Sequence, residues 1–329
     1  MSMTTPDGND AVPGSGASDR DRIDAVLRQA ADIARPAAKD GHVADYIPAL
    51  AGANPDGFAI AMVDLDGTEH LHGDVDVTFP IQSISKVFSL VLAMQKADAS
   101  SSVRDELWSR VGREPSGDPF NSLVQLEHEQ GIPRNPMINA GALVIDDVLL
   151  DHCEDSKRST LELLELLAGE SLTVDRDVYD SEQGSSTRNR AMANLMASFG
   201  NLRHSVDEVM DPYVYACAIS MSARQLARAV RFLANDGIEP DSGERILTPR
   251  HARRVAAIML TCGTYDASGE FAYSVGLPCK SGVAGGIVGV VPGRMGICVW
   301  SPPLDGSGNS RAGRIALHEI AERLDLSVV

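Results

Sequence analysis

From Asp19 onward the apolar residues recur at three- and four-residue steps. Ile23, Val26, Leu27, Ala30, Ala31 and Ala34 form one stripe, which predicts an amphipathic helix that Pro36 and Gly41 bring to an end. Phe58 to Val63 then alternates large and small apolar residues before Asp66-Gly67, and Thr68 to Gly73 follows, the pattern of a β-hairpin turned at Asp-Gly. At Ser83 the period returns to that of a helix, with Val87, Leu90, Val91 and Met94 on one side. The middle of the chain predicts further helices over about 140–151, 157–168, 187–199, 222–235 and 248–261. Ser222 and Thr248 are placed to cap the last two, and Pro249 sits at a first helical position. A second hairpin is predicted at Ile287–Val291 and Arg294–Trp300 around Pro292-Gly293. Ser310 to Leu326 closes with a helix that turns Leu317, Ile320 and Leu324 inward.

Hairpins near both ends with helices between them imply an α+β fold: one mostly antiparallel sheet flanked by the terminal helices, plus a central all-helical subdomain. The expected organisation is a disordered leader over 1–18 and a single domain over 19–329. Within that domain, about 19–82 and 263–329 would form an α/β subdomain and about 83–262 a helical one, with the cleft between them as the default site. The leader is rich in Gly, Ser, Asp and Pro and has too little apolar surface to offset the entropy of ordering.

Composition narrows the function. The formal charge of −17 repels phosphate backbones and anionic membranes, so no nucleic acid and no membrane partner is expected. The N-terminus lacks a basic segment followed by an apolar one, which points to a cytoplasmic protein. Five widely spaced cysteines without C-x-x-C read as reduced thiols, not as bridges or a zinc site. There is no H-E-x-x-H, no strict G-x-S-x-G, no G-x-G-x-x-G and no P-loop.

Lysine usage carries more information. Of 29 cationic residues only Lys39, Lys86, Lys96, Lys157 and Lys280 are lysines, and a lysine, unlike arginine, can lose its proton when buried. Lys86 alone has a serine three residues earlier, in Ser83-Ile84-Ser85-Lys86. On a helix that spacing brings the two side chains together, so a neutral Lys86 could take the Ser83 proton and activate the hydroxyl. Chance would supply about half an S-x-x-K in such a chain, so position and a second element matter. Lys280-Ser281-Gly282 follows later and resembles the K-S/T-G strand of β-lactamases and penicillin-binding proteins, in the same order.

Longer motifs extend the likeness. Ile81-Gln82-Ser83-Ile84-Ser85-Lys86, Glu114-Pro115-Ser116-Gly117 with Phe120-Asn121, Asn135-Pro136-Met137-Ile138-Asn139-Ala140-Gly141-Ala142, Ser181-Glu182 with Arg188-Asn189, Cys262-Gly263-Thr264-Tyr265-Asp266, Lys280 to Gly286 and Trp300 to Asp305 together resemble the serine-dependent glutaminase family. The likeness runs from about Asp19 to the C-terminus. It implies a β-lactamase-like fold and hydrolysis of L-glutamine to L-glutamate and ammonia through a serine acyl-enzyme, with no cofactor, in a homodimer or homotetramer. It also implies roles: Ser83 nucleophile, Lys86 base, Tyr46 and Tyr265 lining the site and relaying protons, and the backbone N–H groups of Ser83 and Val283 as oxyanion hole. Asn139, Glu182, Asn189 and Tyr213 would hold the α-amino and α-carboxylate groups.

Taken singly, these residues admit plainer roles. Tyr46 and Tyr213 could be core aromatics, Asn139 a helix cap, Asn189 and Glu182 solvated surface groups, and Lys280 a strut that holds the cleft without moving a proton. Two other functions stay open at this level. A penicillin-binding or β-lactamase-type enzyme would act outside the cytosol, yet the chain has neither an export signal nor an S-x-N or Y-x-N between the two lysine motifs. A non-catalytic sensor of glutamine or glutamate would have no need of both Ser83 and Lys86.

Overall fold

The computed structural model describes residues 19–116 and 122–329. The leader 1–18 and, within one quoted motif, Gly117, Phe120 and Asn121 lie outside the described residues. The first hairpin is β1 (Ala59–Asp64) and β2 (Glu69–Gly73), followed by β3 (Thr78–Pro80), β4 (Thr173–Val174), β5 (Ile219–Ser222), β6 (Cys279–Ser281) and the second hairpin, β7 (Gly286–Val291) with β8 (Met295–Trp300). The two hairpins join as expected, in a five-stranded antiparallel sheet of order β2-β1-β8-β7-β6. Ala59 faces Trp300 and Asp64 faces Met295 across the central β1–β8 pair.

Both faces of the sheet are buried at β1, β7 and β8, which explains why these strands read as nearly unbroken apolar runs, unlike the edge strand β2. Ile60, Met62, Ile297 and Val299 pack under the terminal helices Asp19–Ala34 and Arg311–Leu324, against Leu27, Leu317 and Ile320. The alternate residues Ala61, Val63, Val288 and Cys298 join a second core with Leu226, Ala227 and Val230. The second cover comes from the predicted helix 222–235, which is in fact two pieces, Ala223–Ala229 and Arg231–Ala234. Beyond the break Arg231 is fully buried; it pairs with Asp241 and Glu239 and donates to the Asp64 carbonyl.

The centre of the chain is helical, with one addition: β3, β5 and β4 form a small sheet that the pattern did not announce. Strands of two to four residues are too short to show an alternation. This sheet matters for the site, because Ile81, just after β3, donates its N–H to the carbonyl of Ile219 in β5. Among the described residues no helix is long and apolar enough to cross a membrane.

Candidate active site

The chain leaves β3 and turns at Gln82, whose φ of +49° is left-handed although it is not a glycine. A single 3₁₀ turn, Gln82–Ile84, then feeds the helix Ser85–Ala99. Ser83 therefore stands one turn ahead of Lys86 on a continuous helical path, and Lys86 Nζ lies 2.6 Å from Ser83 Oγ. Both side chains are buried, at 8% and 2% exposure. Ser85 points elsewhere, toward Cys217.

The lysine is held by neutral groups. Besides Ser83 it reaches Asn139 Oδ1 at 2.8 Å, and the Tyr213 ring lies 5.6 Å from its nitrogen. Burial pulls its pKa down to about 8, against a smaller upward pull from Cys217, Glu182 and Asp146. An amine in that range is available as a proton acceptor near neutral pH.

Asn139 begins the helix Asn139–His152, and its local sequence explains its placement. The Asn135 side chain accepts from the N–H groups of Met137 and Ile138 and donates to the Glu114 carbonyl, which fixes the turn before the helix. Gly141 permits that turn, since a Cβ there would sit 1.9 Å from the Asn135 carbonyl oxygen. Asn139 Nδ2 in turn donates to Asn189 Oδ1 at 2.9 Å, so the two amides and Lys86 form one chain of contacts. Glu182, from the helix Arg176–Ser185, is buried and accepts from Gln82 Nε2 at 3.2 Å. Burial pushes its carboxyl up to about 7, with Gln82 and then Lys86 opposing the rise.

On the opposite wall Tyr265 also has a left-handed backbone, φ +56°. Its hydroxyl donates to the Ser281 carbonyl at 3.2 Å and also interacts with the Ser83 side chain. Burial pushes its pKa up to about 12. Lys280 lies beneath the ring, 4.4 Å from its centre, and donates to the carbonyls of Gly263 and Ser281. Desolvation and then the like charge of Lys86 hold its pKa well below that of a free amine. Gly282 packs against the Ile81 backbone, with room for no side chain: a Cβ would lie 2.6 Å from the Ile81 oxygen. That approach brings the Val283 turn beside the Ser83 turn.

These groups enclose a cavity of about 390 Å³. Ser83, Asn139, Glu182, Asn189, Tyr213, Tyr265 and Val283 line it, with Lys86 directly behind the Ser83 hydroxyl. Tyr46 lines the mouth and is 61% exposed, so it is no core aromatic. Tyr213 is buried yet faces the cavity. Glu182 is no surface carboxylate either. Gln82, part of the first motif, has a role that the sequence does not show: it holds Glu182. Asp146, which interacts with Lys86, belongs to none of the motifs; its signal in the sequence is a pair of carboxylates inside the apolar run Ala142 to Leu150.

The glutaminase family profile matches residues 41–329. A glutaminase of Rhodopseudomonas palustris (strain TIE-1) is 50% identical over 309 residues, covering 93% of this chain and 97% of that protein. One of Methylobacterium radiotolerans is 49% identical over 306 residues, with coverages of 92% and 97%. Among solved structures, the probable glutaminase ybaS superposes with a TM-score of 0.87 at 36% identity, covering 95% of this chain and 99% of its own. A probable glutaminase from Bacillus subtilis complexed with 6-diazo-5-oxo-L-norleucine gives 0.82 at 32% identity over the full length of both chains. The expected α+β, β-lactamase-like architecture is the one these structures share.

Proposed function

The chain belongs to the glutaminase family and acts on glutamine as an amidohydrolase, and from that premise we propose that Ser83 is its nucleophile and Lys86 its general base. The observation that carries this reading is the 2.6 Å contact between a buried lysine amine and a serine hydroxyl on the floor of the cavity. Neutral Lys86 takes the Ser83 proton as Oγ attacks the side-chain amide carbon, Cδ, of L-glutamine. The negative oxygen of the tetrahedral intermediate is received by the backbone N–H groups of Ser83 and Val283. The proton on Lys86 passes through the Tyr265 hydroxyl to the departing nitrogen, the C–N bond breaks and ammonia leaves. Water then attacks the γ-glutamyl ester, giving up its proton along the same path, and Ser83 recovers its hydrogen as L-glutamate is released.

Recognition follows the charges. Glu182 pairs with the α-ammonium, while Asn139, Asn189 and Tyr213 supply donors to the α-carboxylate. Tyr46 closes the mouth. Fixing both ends of the amino acid holds the side-chain amide against Ser83, an orientation worth several kcal/mol of barrier. The diazoketone named with the Bacillus subtilis relative supplies a direct test. It should inactivate this enzyme with a covalent mass addition on the peptide bearing Ser83. Ser83→Ala should keep glutamine binding and lose ammonia release; unchanged turnover in that variant rejects the assignment.

A further inference from the structure

The helix Ser85–Ala99 packs against the helix Asn139–His152, and beyond the chemistry so far described lie one further turn of the first helix and two of the second. In the upper layer Lys86 meets Asn139. Three residues beyond Lys86 comes Ser89, and seven beyond Asn139 comes Asp146; these spacings return each to the face of its partner above. Ser89 and Asp146 interact there, at 3% and 4% exposure. Asp147, next along the chain, has a different task. It is tied to Arg110 and to the N–H groups of Arg203 and His204.

We propose that Asp146 is a positioning residue of the reaction: its buried carboxyl, on the helix that packs against the one bearing Lys86, raises the pH at which that lysine becomes a base. The inference rests on Lys86 acting as proposed above. Burial favours the protonated carboxyl, while the charge of Lys86 and the Ser89 hydroxyl favour the ionised one. Reciprocally, ionised Asp146 favours the ammonium form of Lys86, the form that cannot accept a proton. The two groups therefore titrate as a pair, and the pair spreads the acid limb of the rate toward higher pH.

Other groups around the pair shape the same titration. Glu182 and Cys217 act on Lys86 from the helices Arg176–Ser185 and Val206–Cys217, and Lys280 acts from β6. Asp146 faces Tyr213 and Cys217, which burial keeps neutral, and Asp147 on its own helix. Glu182, with its carboxyl pushed up to about 7, titrates near the same pH. It is fixed as the carboxylate once the substrate ammonium is bound, so kcat at saturating glutamine reports the Lys86 pair.

The experiment is the pH profile of kcat for wild type, Asp146→Asn and Ser89→Ala. With the carboxyl neutralised, Asp146→Asn should move the acid limb down by about one pH unit, the lower range for loss of a neighbouring opposite charge. Ser89→Ala, which removes support for the ionised carboxyl, should move it in the same direction by less, and decides the matter if Asp146→Asn does not fold. A lowered kcat with an unmoved limb would mean a purely structural role and would overturn the proposal, as would an upward shift. Failure of the parent reading looks different: Lys86→Arg would then keep near-normal kcat.

Discussion

Replacing Glu182 by Gln tests how the pocket recognises an amino acid, because the change keeps the shape and removes one charge. Glu182 is 5% exposed, and Gln82 is the side chain that donates to it. In the proposed complex its carboxylate is the counter-ion of the substrate ammonium. Stripping one partner from such a buried pair costs roughly 2–5 kcal/mol, much of it from leaving the other charge unpaired. At about 1.4 kcal/mol per tenfold, KM should rise roughly 30-fold at the low end and by thousands at the high end. The pH dependence supplies a second reading. With a carboxyl raised to about 7, wild-type KM should climb as pH falls below that value, since the protonated acid cannot pair with ammonium. The variant has nothing to protonate there and should show a flat KM. Ammonia release measured across glutamine concentration and pH gives both quantities. A KM within about threefold of wild type, or a pH dependence parallel to it, would refute the role of Glu182 and the substrate orientation built on it.

Three further outcomes follow from the same geometry. Lys86→Arg keeps the charge but cannot accept a proton, so kcat should fall by roughly 10²–10⁴, with glutamate still binding by calorimetry; near-normal kcat would remove Lys86 from the mechanism. Glu182→Gln should also be more stable than wild type in urea unfolding at pH 8.5. A folded-state pKa raised from 4.5 to about 7 means that stability present below the unfolded value is lost as pH rises through the folded one, on the order of 3 kcal/mol. The advantage should vanish at pH 4, and a difference independent of pH would contradict it. Lys280→Met removes one of two donors from each of the buried carbonyls of Gly263 and Ser281, which keep the Ser281 N–H and the Tyr265 hydroxyl, at about 0.5–1.5 kcal/mol each. Its thermal midpoint should therefore drop even where some turnover survives, and an unchanged midpoint would argue against a strut.

Much of the fold was legible because its elements are long and strongly periodic. The stripe from Ile23 to Ala34 and the alternation in the two hairpins each survive as observed elements with ends shifted by a few residues. What stayed hidden depends on contacts between distant segments. The small β3–β5–β4 sheet is too short to have a period, and the break at Val230 within an otherwise helical stretch leaves no turn residue behind. The same division holds in the site. Ser83 and Lys86 could be paired from spacing alone, because one helical turn decides their distance. Asn139, Glu182 and Asn189 come from three other helices, and only the longer motifs singled them out. Asp146 had no such help, since periodicity reports that a position is buried without reporting what it faces.

A common electrostatic rule joins these particulars. Lys86 and Lys280 are both pulled toward the neutral amine, Glu182 and Asp146 toward the neutral acid, and Tyr265, Tyr213 and Cys217 are held protonated, each with desolvation as the leading cause. Around neutral pH the pocket thus carries less charge than its titratable lining would in water, with Lys86 held near 8 and Glu182 near 7. A free amino acid reverses part of that condition: its ammonium draws Glu182 into the ionised form, and the new carboxylate lies within the field of Lys86. That pull would favour the ammonium form of Lys86 and slow the attack. In the proposed complex the ligand's ammonium pairs with that carboxylate, and the pair presents little net charge to the lysine. Recognition of the zwitterion and availability of the base are therefore one requirement. A ligand with glutamine's amide but no α-ammonium should both bind weakly and leave any ionised Glu182 to hold Lys86 protonated, losing kcat as well as affinity.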